Sequence, residues 1–506
     1  MSQEKIKELD ELAVVLDSLR EEQRIVLCHG VFDLLHIGHI KHFEQAREHG
    51  DVLVVTLTQD RYVNKGPHRP AFSQDLRAEM IASLACVDYV AINRWPTSVE
   101  TVKLLKPHFY VKGSDYADPA DDRSGKIVEE RQAVESVGGR IVFTGGVTFS
   151  STQLINRYLP VFPEEVSQFL DGFSQRHSAD EVVGYLERAR DLKALVLGET
   201  IIDEYCFCET MGKSGKEPVL AARYVSEEKF AGGALAVANH AASFCQGVGL
   251  LTFLGRAETQ EEFIRQHLNQ AIEADFLYLE DAPTIVKRRF VETYPFQKLF
   301  EVYIMGESEV DEAAQASLCA RLEKILPDFD LVIVADYGHG MIGPEAVRVL
   351  AEKARFLAVN TQVNAGNHGF NTVSKYPRAD YISVSEKEIR LEVRDRRADL
   401  KRIVSDVSQR LSAPRILITR GEKGCLCYDG QEGFFEAPAL ASRVVDRIGA
   451  GDAVFAVTAL LAAQSAPAEI TGLVGNAVGA QAVRTVANRE PIDRLALVKH
   501  IDSLLK

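Results

Sequence analysis

Short β-branched runs alternate with helical stretches along almost the whole chain, and this alternation limits the fold more than any other feature. From Arg24 to about Pro160 the runs are RIVLCHG, DVLVVTLT, YVAINR, HFYVKG and RIVFTGG, each followed by a helical pattern. Strands separated by helices imply right-handed crossovers and a parallel sheet. A second series begins at KALVLGE and continues through LLTFLG, DLVIVADYG, FLAVNTQ, YISVS, RILITRGE and GCLCYDG. Within it, YCFCETMG with PVLAARYVSEEKF, and TIVKRRFVETYPFQKLFEVYIM, read as β-ribbon rather than helix. The expectation is two α/β bodies, the second carrying a small β lid.

A chain of 506 residues exceeds what one hydrophobic core serves, since cores stop growing at roughly 250–300 residues. The first domain is expected over 1–160. The stretch PVFPEEVSQFLDGFSQRHSADE, with two prolines and broken apolar periodicity, reads as a linker over 161–190, and the second domain follows over 191–506. No repeat of 20–50 residues relates the two halves, so different chemistries are expected of them. The net charge of −15 argues against a general nucleic-acid or anionic-membrane binder, because both need a cationic surface. The charged, helix-like start and the lack of a long apolar run point away from export and membrane insertion, toward the cytoplasm. Eight cysteines fit a reducing compartment. The pairs Cys206/Cys208 and Cys425/Cys427 lie in β-like runs, where strand packing outweighs metal binding, and no zinc site is assigned.

After the first strand stands His29-Gly30-Val31-Phe32-Asp33-Leu34-Leu35-His36-Ile37-Gly38-His39. Two histidines three apart, with Gly38 between them at a strand-to-helix turn, can face a phosphate chain while the helix N-terminus approaches it. Imidazoles there supply charge neutralisation for nucleotidyl transfer without a covalent step. These residues, with Asn64-Lys65-Gly66, Arg69-Pro70, Arg77, the run VKGSDY containing Lys112, and Ser150-Ser151-Thr152, resemble the cytidylyltransferase-like nucleotidyltransferases over about residues 24–160. The resemblance implies a Rossmann-like domain in which His36 and His39 contact the triphosphate and Ser151 and Thr152 donate to phosphate from a helix start. It also implies nucleotide contacts from His29, Gly30, Phe32, Asp33, Gly38, Lys65, Arg77 and Lys112. VKGSDY is most similar to sugar-phosphate adenylyltransferases, whereas HGVF is at least as reminiscent of cytidylyl enzymes, so ATP and CTP both stand as substrates. The charged insert over 117–139 receives no role.

Near the C-terminus, Asp446-Arg447-Ile448-Gly449-Ala450-Gly451-Asp452 precedes a long apolar helix. Glycines before a helix open a nest of N–H groups for a transferring phosphoryl group, and a carboxylate at the helix start takes a proton from a sugar hydroxyl. Asp452 is the candidate base. Over about 192–490 the chain resembles the ribokinase-like (PfkB-type) sugar kinases, through LGETIID with Asp203, Gly232-Gly233-Ala234 with Asn239, Asp336-Tyr337-Gly338, and Thr419-Arg420-Gly421-Glu422-Lys423-Gly424. The resemblance implies ATP held by Gly449, Ala450, Gly451, Thr419, Gly421 and Gly424, and substrate held by Asp203, Gly232, Gly233, Asn239 and Asp336. It further implies Mg²⁺ with Glu388 acting indirectly. Arg447-Ile448 replaces two threonines, Ser385 replaces the Asn of an NxxE motif, and Asn360-Thr361-Gln362 replaces Asp-Pro-Lys. The asparagine-rich AVNTQVNAGNHGFNTVSKY suggests a polar site loop, and Lys287-Arg288-Arg289 suggests a clamp for a phosphorylated sugar.

Together the halves resemble the bifunctional ADP-heptose synthases with the domain order inverted. The implied reactions are ATP-dependent phosphorylation of a sugar phosphate, expected as heptose 7-phosphate, and nucleotidyl transfer to a sugar 1-phosphate. The implied partners are small molecules and a second copy of the chain, met through the lid. Alternatives are a cytidylyltransferase fused to a kinase of other specificity, or a kinase half that binds without catalysis.

Overall fold

The computed structural model describes residues 2–63, 69–113, 126–145, 162–306 and 310–505. The chain divides into two compact units, one comprising residues up to Pro163 with the terminal Val498–Leu504, the other Glu164–Leu497.

The first unit has strands β1 (Ile25–Gly30), β2 (Val52–Thr58), β3 (Tyr89–Asn93), β4 (Phe109–Gly113) and β5 (Arg140–Thr144). They form one parallel sheet in the order β3-β2-β1-β4-β5. Helices α1 (Leu9–Leu19), α2 (Ile37–Arg47), α3 (Gln74–Ala82), α4 (Val99–Leu105) and α5 (Lys126–Ser136) accompany the sheet. Every residue of β2 is buried, as a strand covered on both faces demands. The chain reverses direction across the sheet between β1 and β4, and ligands bind outside the carboxyl ends of strands at such a switch point. The turn with both histidines leaves β1 there.

In the second unit, helices α6 (Glu164–Ser174) and α7 (Ala179–Arg188) occupy the stretch expected as a linker. Apolar residues at helical spacing, Val166, Leu170 and Phe173 in α6 and Val182, Val183 and Leu186 in α7, bury one face of each. Arg176 pairs with Glu469, so this stretch belongs to the body of the second unit. The main sheet contains β6 (Lys193–Gly198), β9 (Gly247–Gly255), β10 (Ile272–Leu279), β13 (Leu331–Asp336), β14 (Leu357–Thr361), β15 (Tyr381–Ser385), β16 (Arg415–Thr419), β17 (Cys425–Asp429) and β18 (Gly433–Ala437). Its order is β10-β9-β6-β13-β14-β15-β16-β17-β18, parallel through β16 and antiparallel in the last two. The expected lid is a separate sheet, β12-β11-β7-β8, of β7 (Thr200–Lys213), β8 (Leu220–Gly233), β11 (Ile285–Glu292) and β12 (Gln297–Ile304). Helices α8 (Ala234–Ala242), α9 (Glu386–Glu392), α10 (Ala450–Ala463) and α11 (Ala468–Ala482) matter for the site.

Candidate active sites

In the second unit, β13 delivers the turn from Asp336 to Gly340 beneath the lid. Gly338 has φ +69°, and a Cβ there would meet the Asn371 Cβ at 2.6 Å, so only glycine fits the turn. The asparagine-rich segment holds this turn in place. Asn364 and Asn367 donate to the Tyr337 carbonyl at 2.7 and 3.0 Å, and Asn371 donates to the Asp336 carbonyl at 2.8 Å. From below, the buried Glu199 accepts the Tyr337 and His339 N–H groups at 2.9 and 3.0 Å. Tyr337, wholly buried, is thereby aimed at α10, and its hydroxyl donates to the Asp452 carboxylate at 2.8 Å.

Asp452 lies in the first turn of α10, after Gly449 in the left-handed conformation at φ +81°. Burial pushes its carboxyl up to about 7, against the Tyr337 hydrogen bond and Lys287, with Asp203 and Glu388 adding to the rise. A carboxylate poised there is matched to proton abstraction near neutral pH. Beside it, a Cβ on Gly451 would meet nothing within 4 Å, so its main chain faces open space. In the nucleotide turn, Gly421 is similarly open at φ +60°, whereas Gly424 at φ +77° abuts the Ala437 carbonyl.

Strand alternation in β11 sends Lys287 and Arg289 to the inner face of the lid and Arg288 to the outer face, where it pairs with Glu204. Lys287 is 4% exposed and lies 5.1 Å from the Tyr303 ring and 5.8 Å from that of Tyr337. Burial lowers its pKa, while Asp203, Glu301 and Asp452 act to keep it charged. Arg289 binds Asp203, and Glu301 at 3.2 Å. The Asp203 carboxylate lies against Gly232, where a Cβ would sit 2.2 Å from its oxygen; next to it Gly233 turns at φ +57°. Asp452, Asp203, Lys287, Arg289 and Tyr337 therefore form one interacting group at the lid's inner face.

In the first unit, His36 caps α2, its Nδ1 accepting the Gly38 N–H at 3.1 Å, and its ring stacks on His39 at 3.9 Å. Phe32, in the left-handed region at φ 47°, sets its ring edge-on to His39 at 5.2 Å. A Cβ on Gly30 would meet that ring at 2.9 Å, so the glycine makes room for the buttress. His29 bonds Thr56 and Thr58 of β2 at 2.9 and 3.3 Å. Burial lowers the His36 pKa, which favours a neutral ring in the absence of phosphate.

Residues 191–494 match the pfkB family carbohydrate kinase model, and residues 27–157 match the Cytidylyltransferase-like model. The chain belongs to the pfkB family of carbohydrate kinases. It combines a kinase domain with a cytidylyltransferase-like domain, and both families are transferases that use nucleotides. Curated relatives include Bifunctional protein HldE of Pelobacter propionicus, 41% identical over 162 residues, covering 31% of this chain and 32% of the relative. The protein of the same name from Geobacter metallireducens is 39% identical over 171 residues, covering 32% of this chain and 33% of the relative. The chain thus spans about a third of the length of the curated relatives it matches. Among solved structures, phosphofructokinase-2 from Escherichia coli aligns with TM-score 0.50 at 14% identity, over 62% of this chain and 99% of that one. That likeness concerns the fold of the kinase unit.

Several residues singled out from sequence are engaged in contacts within the chain. Asp336 is fully buried and saturated by Lys375 and Tyr376 at 2.7 Å each, with Asn371 and the Gly338 N–H, so it anchors the turn. Asn239, in α8, spends its amide on the His267 carbonyl and the Asn269 N–H, both at 2.9 Å. Arg77, with no exposure, donates to the Phe72, Val31 and Thr58 carbonyls and pairs with Asp60. Asp33 accepts from Ala71 and Phe72 N–H and lies 3.5 Å from Arg69, clamping that loop. Lys112 pairs with Glu130 at 2.8 Å. Glu388 accepts the Val363 and Ser385 N–H groups, and Ser385 returns a bond to form a capping box that starts α9. The serine in the altered NxxE motif therefore has a structural use. Lys65, Ser151 and Thr152 lie outside the described residues.

The structure also adds residues given no role from sequence. Tyr337 and Glu199 lay within quoted motifs, but their contacts join segments more than a hundred residues apart. His42 continues the 36/39 spacing along α2 and bonds Thr144 at 2.8 Å; burial pushes its pKa down to about 4. Among the described residues, Glu204, Cys206 and Glu227 form one grouping of metal-ligand type, on the lid's outer face, but Arg288 already neutralises Glu204.

Proposed function

We propose that the chain is a bifunctional enzyme of nucleotide-sugar biosynthesis, phosphorylating a sugar phosphate of the heptose 7-phosphate type with ATP and transferring an adenylyl group to a sugar 1-phosphate. The observation that carries the kinase reaction is the mutual interaction of Asp452, Asp203 and Lys287 beside the Gly449–Gly451 turn, where Gly451 is open. The names of the curated relatives and the resemblance of VKGSDY and DYGHG to ADP-heptose synthases support the sugar.

In the kinase unit, Asp203 and Arg289 orient the acceptor, and Asp452 takes the proton of its hydroxyl. The hydroxyl oxygen bonds to the γ-phosphorus of ATP as the bridge to ADP breaks. Main-chain N–H groups from Gly449 to Gly451, at the positive end of α10, meet the charge on the transferring oxygens. Glu388 suits an indirect role with Mg²⁺: its two oxygens are fixed by main-chain donors and keep lone pairs for metal-bound water. When bound, the ion neutralises phosphate charge. In the transferase unit, the sugar 1-phosphate oxygen attacks the α-phosphorus and pyrophosphate leaves, with His36 and His39 stabilising the charge. Lys65, Ser151 and Thr152 complete this proposal as phosphate donors.

The lid's outer face, where Phe290 stacks on Phe300 at 4.5 Å and Val302 is exposed, supports pairing with a second copy, which light scattering tests. No helix among the described residues is long and apolar enough to cross a membrane, and all eight cysteines are free, which supports a cytoplasmic setting.

The test is pyrophosphate release from heptose 1-phosphate with each of ATP, CTP, GTP and UTP, and ADP release from ATP with heptose 7-phosphate. Release with ATP alone, lost in His39→Ala, is expected. Release with CTP moves the reading to the cytidylyl alternative. Absence of phosphotransfer in the wild type, unchanged by Asp452→Asn, makes the kinase unit a binding module.

A further inference from the structure

The lid carries a charge that the kinase reaction as derived does not use. Plain alternation from Phe300, on the outer face, and Glu301, opposite Arg289 on the inner face, would send Lys298 outward. A β-bulge interrupts β12 instead: Phe290 pairs with Phe300, but Val291 pairs with Lys298, so Leu299 is the extra residue. Bulges re-aim side chains in this way. Lys298 consequently joins Val291, Arg289 and Tyr205 on the inner face, 5.5 Å from the Tyr205 ring and 5.8 Å from that of Phe296. Its ammonium binds the Asp446 carboxylate.

Asp446 is 3% exposed and stands three residues before Gly449. Each of its oxygens takes one donor from the lid and one from the main chain beside the nest. Oδ1 accepts from Lys298 and from the Ile448 N–H at 3.1 Å; Oδ2 accepts from the Tyr205 hydroxyl at 2.7 Å and the Ala487 N–H at 3.1 Å. Ile448 immediately precedes Gly449. Ala487 immediately precedes Asn488, whose side-chain oxygen would lie 2.0 Å from a Cβ on Gly449. One buried carboxylate therefore fixes both walls of the phosphate-facing turn, and half of its bonds come from the lid. Burial alone would favour its neutral form, but Lys298, Tyr205 and the Ile448 N–H hold its pKa below the ordinary value.

We propose that Lys298 is a positioning residue for phosphoryl transfer: through Asp446 it makes the geometry of the Gly449–Gly451 turn depend on a seated lid. The bulge and the cation make the lid a structural part of the anion hole as well as a cover. The inference rests on the kinase reading above for its activity arm only.

The experiment uses the full chain. Lys298→Ala is expected to lower kcat at saturating ATP and sugar phosphate at least tenfold, with each KM changed less than threefold. Lys298→Arg, which keeps the charge, is expected to recover most of the loss, and Tyr205→Phe to give a smaller drop in the same direction. Amide hydrogen exchange is expected to quicken at Ile448, Ala487 and residues 449–453 in Lys298→Ala, with β13 and β14 unchanged. A kcat within twofold of wild type, equal loss in the Arg variant, or unaltered exchange at Ile448 and Ala487 overturns the proposal. A wild-type protein inactive on every sugar phosphate overturns the kinase reading instead, and the exchange comparison then decides the latch.

Discussion

Replacing Tyr337 by Phe removes one hydroxyl from the second unit and tests whether Asp452 is the base. In the wild type that hydroxyl donates to the Asp452 carboxylate at 2.8 Å and stabilises its charged form. The group titrates at about 7, with burial the main cause of the rise and the tyrosine opposing it. A hydrogen bond to a charged group contributes roughly 1.5–3 kcal/mol, and one pH unit corresponds to about 1.4 kcal/mol, so its loss moves the carboxyl up by about one to two units. The base works ionised, so the acid limb of kcat/KM shifts to higher pH. At pH 6.5 the ionised fraction then falls from about a quarter to about one part in a hundred, a rate loss of roughly 20-fold, while above about pH 9.5 the two enzymes converge within roughly twofold. The assay is coupled ADP release across pH 5.5–10, with thermal melting to verify the fold. An acid limb that stays in place, or moves to lower pH, refutes Asp452 as the titrating base.

Further outcomes follow from the same geometry. Asp452→Asn abolishes phosphotransfer yet stabilises the protein at pH 8: the carboxyl is raised from 3.8 to about 7 in the fold, so its ionised form opposes folding above pH 7 and that penalty disappears as pH falls toward 4. Discounted for its partial exposure, the gain is ~2 kcal/mol, read by urea unfolding at pH 8 and absent at pH 4. Gly449→Ala forces a side chain into φ +81° and against Asn488, so kinase activity and the melting temperature fall while pyrophosphate release by the first unit persists. His39→Ala lowers pyrophosphate release by about 10²-fold or more and leaves ADP release from the kinase unchanged, which separate assays on one preparation verify.

Much of this was legible in the sequence, for a physical reason. Strands β1 and β2 of the first unit and β6, β9, β13 and β15 of the second are mostly buried, and such strands read as continuous apolar runs. β18, GFFEA, carries little hydrophobic signal, because it is a short edge strand with three half-buried residues and only Ala437 buried. Helices α6 and α7 resemble a linker in sequence because Pro160, Pro163 and a polar turn at 175–178 interrupt their pattern, although each buries a clear apolar face. In the sites, glycine and carboxylate motifs beside helix starts were legible because their spacing is local. The uses of Asp336, Arg77 and Asp33 were not, since a sequence shows a charged residue without showing that main-chain donors and buried partners consume it. Tyr337, Lys298 and Asp446 depend on contacts across more than a hundred residues and on a one-residue bulge.

Among the described residues, several cations of the kinase unit are already paired with carboxylates, and this bears on what could hold a nucleotide. Arg289 is taken by Asp203 and Glu301, Lys298 by Asp446, Lys375 by Asp336 and Arg420 by Glu386 and Glu436. Arg447, which replaces a threonine before the nest, turns to Glu422 at 2.8 Å. Lys287 is a buried cation that acts on Asp452 and helps keep that carboxyl from rising further. On the proposed kinase reading, a triphosphate would be met chiefly by the main-chain donors of the glycine turns and by the positive end of α10, with Lys287 toward the acceptor. Donors of that kind have no side chain to swing away, so their alignment depends on whatever fixes the turn. In this chain that task falls to Asp446, whose four bonds join the turn to the lid.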